Sequence, residues 1–149
     1  MKPRTRARSL ALQVLYETDI AINHLPGDVF KSRLEDNEIA DDLVEFARQI
    51  VFGILPLKQD LDQLIAKYAP EWPLDQIAAI DRNILRIALW EFSVSHETPI
   101  KVAINEAVEL AKLYGSDSAP RFVNGVLGTL AEHENEIHQL IKNKINQEV

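Results

Sequence analysis

Residues 77–94, "IAAIDRNILRIALWEFSV", decide the fold because they are apolar around almost the whole circumference of a helix. At about 100° per residue, apolar positions fall on nearly every side of this stretch. Such a helix is stable only when other elements cover it, so the stretch predicts the central, most buried helix of the protein. Charged residues are unusual in a helix that is predicted to be buried. This stretch contains four of them: Asp81, Arg82, Arg86 and Glu91.

Outward from this stretch, helical periodicity continues along most of the chain, and strand alternation is almost absent. Apolar residues spaced by three and four run from Glu35 to about Leu55, and a shorter helix follows Pro56. Pro26 and Gly27 are interpreted as a helix break. The sequence therefore predicts an all-α fold of about seven helices.

The first helix carries two apolar rows. One row is the predicted core face, and it consists of Ala7, Leu10, Ala11, Val14, Thr18 and Ala21. The other row lies on the opposite side at a spacing of four and consists of Leu12, Tyr16 and Ile20. This second row needs its own explanation: packing against another helix of the chain, a homodimer, or a protein partner.

Composition is that of an ordinary globular protein, with 149 residues, 46% of them apolar and 26% charged. We expect one domain, residues 1–149, with an N-terminal subdomain at about 1–68 and a C-terminal subdomain at about 74–149, on either side of a proline-containing corner. No apolar run approaches the length of a membrane span, and the start lacks the features of a signal peptide. We therefore expect a cytoplasmic protein that does not contact membranes.

The sequence offers little basis for catalysis or for a metal or cofactor site. Cysteine is absent, which excludes disulfides, thiolate nucleophiles and iron–sulfur clusters. Gly125 and Gly128 lie within a helical pattern and do not form a phosphate-binding loop. His133 and His138 are five positions apart, whereas two ligands on one helix face need a spacing of four. We therefore predict no enzyme activity, no cofactor and no metal.

The basic residues at the start of the chain suggest contact with a nucleic acid. Lys2, Arg4, Arg6 and Arg8 lie within eight residues that contain no acid, although the whole chain has a formal net charge of −7. Guanidinium groups suit bidentate contacts with phosphate and stack on unpaired bases. The alternative is a solvated terminus. Because the remaining sequence is acidic, a narrow, partner-assisted RNA or DNA site fits better than a broad duplex-binding face.

Four motifs of this sequence resemble the NusB family of bacterial transcription antitermination proteins in order and spacing. They are "RTRARSLALQVLYETD", "WPLDQIAAIDRNILRIALWEF", "PIKVAINEAVELAKLYG" and "RFVNGVLGTL", which together span about residues 4 to 131. The resemblance implies two small helical bundles that meet at a shared interface. It also implies a protein that is not an enzyme and that binds boxA RNA together with NusE, a small-subunit ribosomal protein. This complex then joins RNA polymerase and other Nus factors and favours read-through of terminators in ribosomal RNA operons.

The resemblance also assigns roles to individual residues. It implies RNA contacts for Lys2, Arg4, Arg6 and Arg8, and for Arg121 and Phe122 in the turn before the "FVNG" helix. A cation beside an aromatic ring is suited to holding an unstacked base. Phe122 has an alternative role as a core anchor that packs with Val126. Ser118 stands where some members have an acid, and Asp117 lies one position earlier, so the sequence of this turn departs from the family pattern on which its RNA contacts rest.

For NusE, the resemblance implies contacts with Tyr16, Ile20 and Asp81, and a basic ribosomal protein should favour an acidic docking face. A homodimer through the second apolar row would instead hide the RNA site. A helical scaffold that binds only protein is a further alternative. A similar domain is the RNA-positioning part of certain ribosomal RNA cytosine methyltransferases, but this sequence has no methyl-donor binding motif, so we do not expect that activity.

Overall fold

The computed structural model describes residues 1–147, and within them the chain forms eight α-helices and no β-strand. The all-α prediction is confirmed. The helices are α1 Pro3–Ile20, α2 Pro26–Glu35, α3 Asp41–Ile54, α4 Lys58–Tyr68, α5 Ala79–Trp90, α6 Ile100–Tyr114, α7 Ala119–Ala131 and α8 Glu134–Gln147. Short 3-10 turns at Leu55–Leu57 and Leu74–Gln76 flank α4, and a π-helical turn at Glu91–Ser95 extends α5.

Helix α5 is the centre of the molecule, as its sequence predicts. Its apolar side chains are almost completely inaccessible to solvent, from Ile84 through Leu89. It packs against α1, α3, α4, α6 and α7. Residues on all sides of α5 therefore belong to one continuous hydrophobic core.

Helix α1 buries both of its apolar rows near its start and exposes one of them near its end. Leu10 and Val14 of the predicted core face are fully buried, and so is Leu12 of the second row. Further along the second row, Tyr16 is half-buried and Ile20 is 55% exposed. Packing within the chain therefore explains the first part of the second row and leaves its last part available at the surface.

The structure contains one helix that the sequence pattern did not predict. Pro26 and Gly27, interpreted above as a break, form the first turn of α2. Proline is tolerated at this position because its missing N–H would have no intrahelical partner there. Helix α2 ends at Glu35, where the next helix was predicted to begin, and α3 starts only at Asp41.

None of the helices within the described range is both long and apolar enough to cross a membrane. The predicted subdomain boundary at about residues 69–73 falls between α4 and the turn at Leu74–Gln76. The division into two subdomains stays a prediction. The last two residues of the predicted C-terminal subdomain, Glu148 and Val149, lie outside the described residues.

Candidate nucleic-acid and protein interface

The basic segment forms the first turns of α1. Lys2 is the N-cap residue, and its side chain makes no capping hydrogen bond. Arg4 and Arg6 are exposed, and the first turn contains no acid. Cations at a helix N-terminus interact unfavourably with the helix dipole, so these residues do not stabilise the helix that carries them. Their contact with RNA stays a prediction.

Contacts with neighbouring elements hold two of these cations. The guanidinium carbon of Arg4 lies 3.9 Å from the centre of the Phe46 ring on α3. Arg6 donates a hydrogen bond from Nη1 to the main-chain carbonyl of Glu38, at 3.5 Å. Thr5, between them, donates to Glu106 of α6 at 2.7 Å. The first turns of α1 therefore contact α3 and the segment before it on one side and α6 on the other.

Arg8 differs from the other three basic residues because its side chain is inside the protein, with 2% exposure. Its Nε and Nη2 donate to the two carboxylate oxygens of Glu91 at 2.8 and 2.7 Å. Thr98 donates to the same carboxylate at 2.9 Å, and Glu106 lies 3.7 Å from Arg8. The structure thus differs from the expectation that Arg8 contacts RNA, because these donors already point at carboxylates and not at solvent.

The second predicted RNA-facing element lies at the start of α7. Arg121 is exposed and Phe122 is half-buried. The Phe122 ring meets Trp72 edge to face, with 6.1 Å between the ring centres. Beside the two rings is a cavity of about 320 Å³ that Ile77 and Asp81 also line. Phe122 therefore packs against the core on one side and faces an open recess on the other.

Asp81, at the start of α5, is the unusual group of this recess. The residue is 8% exposed, and within the part of the chain that the structure describes its Oδ1 has no hydrogen-bond partner. Burial raises the pKa of Asp81 above its ordinary value. A buried carboxylate oxygen without a partner costs folding free energy and is typical of a functional site. Gly115 lies beside it: a Cβ there would meet the Ala119 side chain and the Ala111 carbonyl first, and would lie 3.1 Å from that Oδ1.

We predict that Asp81→Asn stabilises the free protein at neutral pH. A raised pKa means that the folded state binds the proton more tightly than the unfolded state, so stability falls as pH rises through the range above 3.8. Asparagine removes the charge, so the urea midpoint at pH 7 should increase. Asp75→Asn, at an exposed neighbouring position, is the control and should leave the midpoint unchanged. A lower midpoint for Asp81→Asn would contradict the prediction.

Tyr16 and Ile20 lie on a separate, more apolar face. Tyr16 lines a cavity of about 300 Å³ together with Gln13, Arg33, Ile80 and Tyr114. Two further apolar side chains, which the sequence pattern did not single out, are exposed in the loop after α1. There, Ile22 is 89% exposed and Leu25 is 65% exposed. Large apolar side chains exposed together are typical of a protein-binding surface.

The two faces adjoin at the end of α6. Tyr114 hydrogen-bonds to Ser9 and lines the Tyr16 cavity. The following residue, Gly115, abuts Asp81, which lines the Phe122 recess. A ligand on one face would therefore lie next to a ligand on the other.

In residues 1–147, no cluster of three or more His, Cys, Asp or Glu side chains is arranged to hold a metal ion. His133 and His138 have separate surroundings. His133 stacks with Tyr68, with 4.6 Å between the ring centres. The rings of His138 and His96 are 4.4 Å apart, and Nδ1 of His138 hydrogen-bonds to the Ser93 carbonyl.

The fold and these surfaces define a small all-helical binding protein. The model of the NusB family matches residues 5–132, and the chain belongs to that family. The match ends just before α8, so this last helix lies beyond the matched region.

Three related proteins illustrate the similarity. The transcription antitermination protein NusB of Roseiflexus sp. (strain RS-1) is 47% identical over 135 residues, which cover 89% of this chain and 94% of that protein. The structure of T. maritima NusB superposes with a TM-score of 0.81 at 30% identity, covering 93% of this chain and 98% of that one. A crystal structure of antitermination factors NusB and NusE in complex with dsRNA contains a chain with a TM-score of 0.79 and 29% identity, covering 89% and 98% respectively.

Proposed function

We propose that this protein is a transcription antitermination factor that binds boxA RNA together with NusE. The observation that carries the proposal is its similarity, over almost the whole chain, to the NusB of a complex that contains NusE and RNA. The protein would help to assemble the antitermination complex on RNA polymerase, with other Nus factors, during transcription of ribosomal RNA operons. It acts in the cytoplasm as an assembly factor and has no catalysis of its own.

On the RNA side, Lys2, Arg4 and Arg6 contact phosphates, because their charges are exposed together at the N-terminal end of α1. Arg121 and Phe122 hold an unstacked base at the recess beside Trp72. Arg8 supports this surface from inside and does not contact the RNA.

On the protein side, Tyr16 and Ile20 provide the apolar contact with NusE, and Ile22 and Leu25 extend it. Asp81 supplies an acid where this face adjoins the RNA face. Its carboxylate would accept a hydrogen bond from a basic side chain of NusE, which would repay the cost of burying it without a partner.

The charge distribution of the protein favours cooperative binding of RNA and NusE. The few exposed cations of α1 belong to a chain with a net charge of −7, so they should bind RNA only weakly alone. A basic partner bound at the adjoining face would add phosphate contacts and raise the affinity.

The test is fluorescence anisotropy of labelled boxA RNA and of a scrambled RNA, titrated with this protein, with and without purified NusE, at two salt concentrations. We expect a preference for boxA that increases with NusE. Arg6→Ala should weaken binding and reduce the slope of log affinity against log salt by about one. Lys142→Ala, at an exposed cation on α8, is the matched control and should bind normally. Equal, weak binding of both RNAs with or without NusE would contradict the proposal and favour a scaffold that binds only protein.

A homodimer through the Tyr16 and Ile20 face is the second arrangement to test. The exposure of Ile20, Ile22 and Leu25 supports it, because the same apolar surface would serve either partner. Sedimentation velocity distinguishes the two: a dimer that NusE converts into a heterodimer indicates competition for this face, and a monomer at all concentrations excludes the homodimer.

A further inference from the structure

The start of α1 poses a physical problem that the surrounding structure solves. Basic side chains at Lys2, Arg4 and Arg6 oppose the helix dipole, and no capping side chain or acid in the first turn compensates. The chain is nevertheless helical from Pro3. Pro3 at the first helical position favours a helix start, and contacts outside α1 also hold this turn in place.

Phe46 on α3 is the centre of these contacts. Its ring is half-buried, and packing against the hydrophobic core fixes the position of the ring. The guanidinium of Arg4 lies over this ring at 3.9 Å, and that of Arg8 is 5.1 Å from the ring centre. Arg8 is itself fixed by Glu91, so only Arg4 is both held by the ring and exposed.

The geometry of this contact leaves Arg4 able to bind an anion. A guanidinium that stacks on an aromatic ring uses its flat face, whereas its N–H donors lie in its plane and point outward. Within residues 1–147, no carboxylate forms an ion pair with Arg4, in contrast to Arg8. The donors of Arg4 therefore remain available at the surface.

We propose that Phe46 is a positioning residue for RNA binding, whose ring holds Arg4 in the orientation that presents its N–H donors to a phosphate. This inference rests on the proposed function. A long arginine side chain normally loses rotamer freedom when it binds, and a side chain already held in its bound orientation loses less. Phe46 thus increases affinity without touching the RNA.

The experiment is a double-mutant cycle between Arg4 and Phe46, read out as the dissociation constant for boxA RNA in the presence of NusE. Phe46→Leu keeps an apolar side chain against the core and removes the flat ring. We expect it to weaken binding roughly threefold to tenfold. In the Arg4→Ala background it should have almost no further effect, because it acts through Arg4.

Matched variants separate positioning from a loss of stability. Phe46→Tyr keeps the ring face and should retain normal affinity. Phe52→Leu changes a partly exposed phenylalanine on the same helix that stacks with Phe30 and not with an arginine, and it should also bind normally. A purely structural role of Phe46 would give the same loss of affinity with and without Arg4.

Three outcomes would overturn the inference: normal affinity of Phe46→Leu, an undiminished effect of Phe46→Leu in the Arg4→Ala background, or normal affinity of Arg4→Ala. The last of these needs no change in the core, so it can be measured even if Phe46→Leu folds poorly. If the original protein shows no preference for boxA with NusE, the proposed function fails first. If that preference is present and the cycle shows no coupling, only the role of Phe46 is contradicted.

Discussion

Replacing Glu91 with alanine is expected to lower the free energy of unfolding by about 3–5 kcal/mol. The substitution leaves the guanidinium of Arg8, which is 2% exposed, without the carboxylate that accepts its two hydrogen bonds. Glu106, at 3.7 Å, is too poorly placed to replace both of them. Urea unfolding at pH 7, followed by circular dichroism, measures the change.

The control removes both charges together. In Arg8→Met with Glu91→Leu, two apolar side chains of similar size replace the ion pair, and such replacements are often neutral or stabilising. We therefore expect the double variant to recover most of the stability that Glu91→Ala loses. A loss below about 1 kcal/mol for Glu91→Ala would mean that water reaches Arg8, contrary to its burial here.

The same double variant also tests how α1 binds RNA. It removes the charge of Arg8 and leaves Arg4 and Arg6 in place. If Arg8 is only an internal support, the double variant should bind boxA RNA with an unchanged dependence on salt. A slope reduced by about one would instead show that Arg8 contacts a phosphate.

The features that the sequence predicts well are those that depend on neighbouring residues in the chain. The all-round apolar pattern of residues 77–94 predicts a central helix, and Ile84 and Leu89 are indeed inaccessible to solvent. The exposed basic turn at Arg4 and Arg6 is equally local. Helix α2 was missed because Pro26 suits a helix start as well as a break, and only the packing of Val29 and Phe30 decides between them.

Features that depend on distant residues could not be predicted in this way. Arg8 is similar to Arg4 and Arg6 in sequence, but Glu91 and Glu106 come close to it only in the folded chain. Phe46 fits the apolar spacing of α3 and gives no sign in the sequence that an arginine stacks on it. The combination of Asp81, Trp72 and Phe122 in one recess likewise depends on how α5 and α7 pack.

Asp19→Asn is expected to destabilise the protein by about 2 kcal/mol at pH 7. The Asp19 side chain of α1 is 11% exposed and contacts the central helix α5. It accepts hydrogen bonds from Arg82 at 2.9 Å, from Arg86 at 3.2 Å and from Asn83 at 3.2 Å. Asparagine has a similar shape but no charge, so the two arginines lose a compensating anion.

The pH dependence distinguishes loss of this charge from loss of packing. Burial alone would raise the pKa of Asp19, but the hydrogen bond from Arg82 and the charges of Arg86 and Arg82 outweigh it and lower the pKa from 3.8 to about 2. Because the pKa of Asp19 is lower in the folded protein than in the unfolded chain, its carboxylate stabilises the fold fully above pH 3.8. This contribution to stability is lost as pH falls towards 2. Urea unfolding at pH 7, 5, 4 and 3 should therefore show a smaller loss of stability on acidification for Asp19→Asn than for the original protein. Asp36→Asn, at an exposed position, should keep the original dependence; a parallel dependence for Asp19→Asn would show that its carboxylate carries no such linkage.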